Sequence, residues 1–404
     1  MHIHPILAAL RKHRLATLLI ALEVALACAV LCNACLLIAN RIAAMQVVSG
    51  VDEHALGLVV LTGFAPEQAV DLNARALSGL REIPGVQSVS VVNSAPFGPR
   101  AGAAGVTTDA EGKHFGGVID FYVGGPGAID ALGLHVVSGR VPTADEYAAV
   151  AQYVPKGAPI LITRVLAEHL WPGVDPLGKS LWGFDSQFRV IGVLDHFAIP
   201  APGAGEEKDP DWSIFVPALP GPNFAGTYLV RANPADLDRV MRDAAPTIAK
   251  IAPDVVFDTE QSRTLGDLRE RFFRNDRAMA GLMIGVIAAL LGVTALGITG
   301  LASFWVQQRT RTIGIRRALG ATRRDILGYF QTENLLIVTF GVLPGIAMAL
   351  GINLVLMTFY ELPRLPLLYL PIGAVALWVL GQLAVLAPAL RAASVPPVVA
   401  TRSA

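Results

Sequence analysis

Four long apolar runs and one long polar interval set the order of this chain. Residues 15–42, 278–306, 335–359 and 367–390 carry almost no charge, and each is long enough to cross the ~30 Å hydrocarbon of a bilayer as a helix. Residues 43–277 read differently, with Gly and Pro turn signals alternating with short β-rich runs. At the edges of this interval the pattern repeats. Leu56–Thr62 alternates as a strand, Pro66–Glu82 has helical periodicity behind a proline, and Val86–Asn93 is again strand-like. Later, Tyr228–Arg231, a helix opened by Asn233-Pro234 and running to about Ile251, and Val255–Asp258 give a second β-α-β unit. Two such units packed together predict a ferredoxin-like α/β sandwich. The stretch between them, about 100–220, holds more strands and turns and reads as an inserted β-rich subdomain.

The second apolar run is preceded by a charged helical pattern from Arg263 to Arg277 with no breaker between them. The apolar part alone would be roughly 43 Å long at 1.5 Å per residue, which predicts a helix continuing beyond the bilayer as a stalk. Within it Gly281 and Gly285, then Ala288 and Gly292, form small-xxx-small surfaces, to be covered by span 1 or by a second protomer. The first run contains one acid, Glu23, about 12 Å along the helix axis from Leu15. A carboxyl at that depth is expected to face other helices or to be reached by water.

Charge then decides the orientation. Between Gln307 and Leu327 stand six arginines against one acid. Residues 43–277 hold 19 basic and 28 acidic side chains, and the remainder holds 13 and 4. Basic clusters before span 1, between spans 2 and 3, and after span 4 fall on one side if the chain crosses four times, as the positive-inside rule requires. Arg316 is then inside and Lys208 outside. The composition, 53% hydrophobic and 16% charged, excludes an ordinary soluble protein. The first run is too long for the core of a cleaved leader and is expected to be a retained signal anchor.

Inside the arginine-rich stretch, Gly314 and Gly320 bracket a single short helix. Its Ile315, Ala318 and Leu319 share a face, with Arg316 and Arg317 beside it. Gly320 suits a left-handed C′ position, and Thr322-Arg323-Arg324-Asp325 resembles a capping box for the next helix. The run Arg309-Thr310-Arg311-Thr312-Ile313-Gly314-Ile315-Arg316-Arg317-Ala318-Leu319-Gly320-Ala321-Thr322-Arg323-Arg324-Asp325-Ile326 resembles the cytoplasmic coupling segment of MacB/FtsX-like ABC transporter permeases. It departs from that pattern at Thr312, where many members carry Glu. Within 43–277, Val123-Gly124-Gly125-Pro126-Gly127-Ala128-Ile129-Asp130-Ala131-Leu132-Gly133-Leu134, Ser138-Gly139-Arg140 and Leu170-Trp171-Pro172-Gly173-Val174-Asp175-Pro176-Leu177-Gly178-Lys179 are similar to phrases of the MacB-type periplasmic core domain.

The resemblance implies a membrane α-helical protein with an α+β periplasmic domain: four transmembrane helices, with the large domain between spans 1 and 2. Its divisions are a cytoplasmic N-terminus at 1–14, span 1 at 15–42, a periplasmic core with stalk at 43–277 and span 2 at 278–306. A cytoplasmic coupling segment at 307–334, span 3 at 335–359, a periplasmic turn at 360–366, span 4 at 367–390 and a cytoplasmic tail at 391–404 complete it. It further implies a bacterial inner-membrane permease subunit that is not itself the enzyme. A separate ABC ATPase would engage Ile313, Gly314, Ile315, Arg316, Arg317, Ala318, Leu319, Gly320 and Ala321, and the stroke would reach the periplasmic domain through spans 1 and 2. The implied partners are that ATPase, a second permease protomer in a homo- or heterodimer, and a periplasmic adaptor protein, with no nucleic acid. Two other readings stay open: an FtsX-like signalling protein acting on a periplasmic cell-wall hydrolase, and an orphan permease without an ATPase.

Other patterns carry less. Gly173–Ser180 satisfies G-x-x-x-x-G-K-[ST], and Val190–Asp195 imitates the strand that accompanies it. The stretch follows a helix-like Arg164–Leu170 and leads into a strand, the reverse of a phosphate loop, and Pro176 removes an N–H. It is read as a structural turn. Cys28, Cys32 and Cys35 have helical spacing suited to a soft metal or to small packing residues, and the second is expected. His2 and His4 are close but terminal. No catalytic motif, metal set or cofactor site is proposed.

Overall fold

The computed structural model describes residues 14–202, 209–360 and 364–396. The His2 and His4 pair, Lys208 and part of the expected turn at 360–366 lie outside the described residues. The chain divides into two compact units, one from Ala44 to Asn275 and one containing the remainder.

In chain order the elements begin with α1 (Arg14–Met45), β1 (Leu56–Thr62), α2 (Ala69–Arg81), β2 (Val86–Val91), β3 (Gly102–Thr107), β4 (Phe115–Gly124), α3 (Ala128–Leu132) and β5 (Val136–Gly139). There follow β6 (Ala148–Ala149), β7 (Pro159–Thr163), α4 (Arg164–Leu170), β8 (Ser180–Gly183), β9 (Ser186–Leu194), β10 (Ser213–Leu219) and β11 (Thr227–Ala232). The last are α5 (Leu237–Ile251), β12 (Val256–Phe257), α6 (Leu265–Phe272), α7 (Arg274–Gln308), α8 (Thr310–Ala318), α9 (Arg323–Tyr360) and α10 (Tyr369–Ala393).

The two β-α-β units expected from sequence meet in one antiparallel sheet of order β12-β1-β11-β2, with Leu58 opposite Leu229 and Tyr228 opposite Val91. This is the ferredoxin-like arrangement. Val59 and Leu61 of β1 pack with Leu72 and Leu80 of α2 and Val240 of α5. Leu56 and Leu58, on the opposite face by strand alternation, join Tyr122, Phe197 and Phe273. Because both faces are covered, β1 is apolar almost throughout instead of alternating.

The inserted stretch between β2 and β11 closes on itself. Neighbouring strands run β4-β3-β8-β9-β7-β10, and β10 returns to pair with β4, leaving no open edge in that ring. Val106, Phe121, Ile160, Ile162, Phe188 and Ile214 fill it. The Gly173–Lys179 stretch is a turn from α4 to β8, as expected. The Gly178 N–H donates to Val190 O at 2.8 Å, and Asp195 pairs with Arg164 at 2.7 Å, so neither is arranged around a phosphate.

Gly139 explains one of the phrases singled out above: at φ +79°, a Cβ there would lie 2.3 Å from the Ile191 carbonyl oxygen. Arg140 then forks onto Glu146 with two 2.6 Å bonds. This guanidinium holds the Glu146 carboxyl down at about 2, below its ordinary 4.5. A depressed carboxyl stabilises the fold above its unfolded pKa, and that contribution is lost as the pH falls from about 4.5 through 2. Glu146→Gln is therefore expected to flatten the acid limb of thermal stability over that window by about 1 kcal/mol or less, as suits a solvent-reached pair. Melting curves from pH 5 to pH 2 check it.

One expectation fails locally. The charged helix does not run unbroken into span 2, because α6 ends at Phe272, with Phe273 as its cap, and α7 starts afresh at Arg274. Phe273 is 1% exposed, with its ring edge-on to those of Phe97 and Phe272. Burying that ring in the domain core holds the chain in a turn that helical periodicity does not register.

The four long helices α1, α7, α9 and α10 are each long and apolar enough to cross a membrane. They share a core of Val24, Cys28, Ile298, Val338, Leu377 and Val385. Cys28 lies against Gly345 and Cys32 against Gly373, the small-packing role expected of them. Polar groups tie the helices: Asn33 donates to Ala349 O at 3.1 Å, and Thr299 to Ala384 O at 3.0 Å.

Candidate functional site

The arginine-rich stretch folds as α8, a nine-residue helix set between the two long helices α7 and α9. Its start is fixed by Arg309, whose φ of −102° and ψ of 10° interrupt helical geometry. Its end is fixed by Gly320 at φ +101°, where Ala321 N–H donates back to Arg316 O at 3.0 Å. The next helix opens on the expected capping box. Thr322 N–H donates to Asp325 Oδ2 at 2.9 Å, and Asp325 N–H to Thr322 Oγ1 at 3.3 Å. Gly314 corrects the sequence reading: it lies inside the helix and is buried with Ile313, so it does not mark the helix start. The helix begins a turn earlier because the interruption comes from Arg309, the residue that pairs inward.

The candidate residues then separate into two sets. Ile313, 5% exposed, packs with Ile326, Phe330 and Ala389, anchoring the helix to the bundle, and Ala321 lies at the edge of that cluster. Ile315, Ala318 and Leu319 point away from it. Leu319 is 83% exposed and Ile315 47%. The two arginines are held by their own chain: Arg316 lies over the Tyr329 ring, 5.1 Å from its centroid, and Arg317 donates to the Val395 carbonyl. Thr312 is exposed beside a small cleft lined by Arg309, Arg316, Ile326 and Tyr329. The site is thus an apolar tip on a short helix stiffened from behind.

Glu23 lies on α1 against α7, where a Cβ added to Gly297 would meet its carboxylate at 2.7 Å. It faces a neighbouring helix as expected, far along the chain from α8. Sequence reasoning missed two features. Glu333 on α9 is buried and paired with Arg309; a lone acid in Gln331-Thr332-Glu333-Asn334 beside an apolar run was the available signal. The other is Gly341-x-x-x-Gly345 on α9, which packs on α1. On α7, by contrast, Gly281, Gly285 and Gly292 meet nothing within 4 Å among the described residues.

Residues 26–261 match the family model of the MacB-like periplasmic core domain, and residues 284–397 match that of the FtsX-like permease C-terminal domain. The chain belongs to the MacB-like permease family. With four apolar helices, this MacB-like permease is an inner-membrane protein whose large domain is periplasmic. Among its relatives, the macrolide export ATP-binding/permease protein MacB of Bdellovibrio bacteriovorus is 28% identical over 48% of this chain and 31% of its own length. The pyoverdine export ATP-binding/permease protein PvdT of Pseudomonas fluorescens is 27% identical over 89% of this chain and 53% of its own length. The chain thus spans about a third to a half of the curated relatives it matches. The periplasmic region of MacB from Actinobacillus actinomycetemcomitans aligns over 54% of this chain and 93% of that one, at 13% identity and a TM-score of 0.33.

Proposed function

We propose that this permease is the transmembrane subunit of an ABC exporter, in which a separate ATPase grips α8 and the stroke reaches the periplasmic domain through spans 1 and 2. The supporting observation is Leu319. A large apolar side chain 83% exposed at the tip of a helix anchored by Ile313 fits a socket on another protein. Two helices longer than a bilayer needs, α1 and α7, leave the membrane next to each other and are joined by the Arg41–Asp276 ion pair. The open glycine face of α7 suits a second protomer, and an adaptor on the periplasmic domain completes the proposed assembly. The cargo is a compound taken from the periplasm or the membrane, in keeping with the export named for MacB and PvdT.

Leu319→Glu is expected to weaken ATPase binding about thirtyfold, the loss of a ~2 kcal/mol hot spot, and to abolish permease-stimulated ATP hydrolysis. Membrane insertion and melting temperature should stay as in the wild type, because the side chain is almost fully exposed. Stimulated hydrolysis by L319E at the wild-type rate would reject α8 as the docking element. Leu319 is a cleaner probe than Gly314, whose burial would make a bulky substitution disturb the helix itself.

A further inference from the structure

Behind α8, Arg309 and Glu333 form a contact that the docking surface does not need. Arg309 stands where α7 stops and α8 begins. Its Nη1 reaches both carboxylate oxygens of Glu333, at 3.0 and 2.9 Å, and the guanidinium lies 5.4 Å from the centroid of the Trp305 ring. The Glu333 side chain is 1% exposed. A carboxylate taken that far from water costs several kcal/mol unless a cation stays with it, so the pair is held shut in this arrangement.

The place of the pair matters as much as its strength. Beside Glu333 is a cavity of about 20 Å³ lined by Ile20 of α1, Ile298 of α7, Asn334 of α9 and Val385 of α10. All four spans meet there. Among the described residues, the Asn334 Nδ2 group is buried at this point without a hydrogen-bond partner. Such a small void beside an incompletely satisfied polar group marks a spot where packing has room to change.

We propose that Arg309 and Glu333 are positioning residues that lock the base of α8 to α9 and pass its displacement into the four-helix core. This rests on α8 being the ATPase-docking element. The pair touches no partner, and its role is to make a push on the tip move the bundle and not merely rotate a loose helix.

The test uses the full-length permease in lipid nanodiscs, alone and with the ABC ATPase that co-purifies from native membranes. In E333Q, which keeps the shape and removes the charge, amide hydrogen exchange across Thr310–Ala318 is expected to rise roughly tenfold, with α10 unchanged. ATPase binding should be retained while stimulated hydrolysis falls about fivefold, a separation that a simple folding defect would not give. The charge-exchanged double variant R309E/E333R should recover both, and R309K, which keeps the charge without the planar fork, should fall between. Unchanged exchange in E333Q overturns the lock. Faster exchange with undiminished stimulation overturns its part in transmission. L319E is run alongside: if it still binds the ATPase, the docking reading fails, while hydrogen exchange in the permease alone still decides the lock.

Discussion

Gly345→Leu is expected to lower the melting temperature of the detergent-solubilised protein by about 10 °C and to expose α1 to protease. A Cβ at Gly345 would lie 2.6 Å from Cys28 Cβ and 2.8 Å from the Ala25 carbonyl oxygen, and one at Gly341 would lie 2.7 Å from the Ala21 carbonyl oxygen. These are backbone oxygens and a Cβ fixed by the backbone, so rotating a side chain cannot relieve the clash. Lipid tails give helices no hydrophobic reason to associate, and the bundle relies on such close approach and on interhelical hydrogen bonds. Forcing α1 away from α9 would also strip Asn33 of its bond to Ala349. Gly351, on the same helix, has nothing within 4 Å among the described residues, and Gly351→Leu should leave the melting temperature within about 2 °C of wild type. Equal melting of the two variants would show that α1 does not sit on the Gly341 and Gly345 face.

Arg269→Met is expected to destabilise the periplasmic domain by about 3 kcal/mol, roughly 6–12 °C in a domain of this size. Arg269 on α6 donates to the Met45 carbonyl at 2.8 Å, the Val47 carbonyl at 2.7 Å and Glu53 Oε1 at 2.6 Å. It also covers the Phe97 ring, 4.9 Å from its centroid. One guanidinium therefore joins the strand of chain that leaves span 1 to the helix that leads into span 2. Methionine keeps the apolar stem but leaves Glu53, which is 14% exposed, without its cation and the two carbonyls without a donor. Lysine restores the charge but not the fork, so R269K should recover about half of the loss. If R269M instead melts within about 2 °C of wild type, the segment after span 1 is held by other contacts. If the proposed stroke passes along these two connections, R269M should also lower export more than ATPase binding, which an export assay beside a binding assay resolves.

Much of this was legible along the chain because the signals are local. The capping box at Thr322 and Asp325, the outward set Ile315, Ala318 and Leu319, and the left-handed turn at Gly320 each depend on residues within one helical turn. The two β-α-β units could be paired because their periodicities repeat, and the order of their sheet follows from that repeat. Where the sequence reading slipped, a distant contact had overruled a local one. Phe273 ended a helix because its ring belongs to a core shared with Phe97, and the interruption before α8 came from Arg309, not Gly314.

By itself the sequence determined four helices long and apolar enough to cross a membrane, a folded α+β domain between the first and the second, and which short helix carries an unburied apolar tip. Length, charge and periodicity are properties of neighbouring residues and need no fold to be read. Tertiary structure alone decided the closure of the inserted strands through β4 and β10, the choice of Gly341 and Gly345 over the glycines of α7 as the packing face, and the pairing of Arg309 with Glu333. Each of these joins positions far apart in the chain, where many partners have the right chemistry and only the packed arrangement selects one.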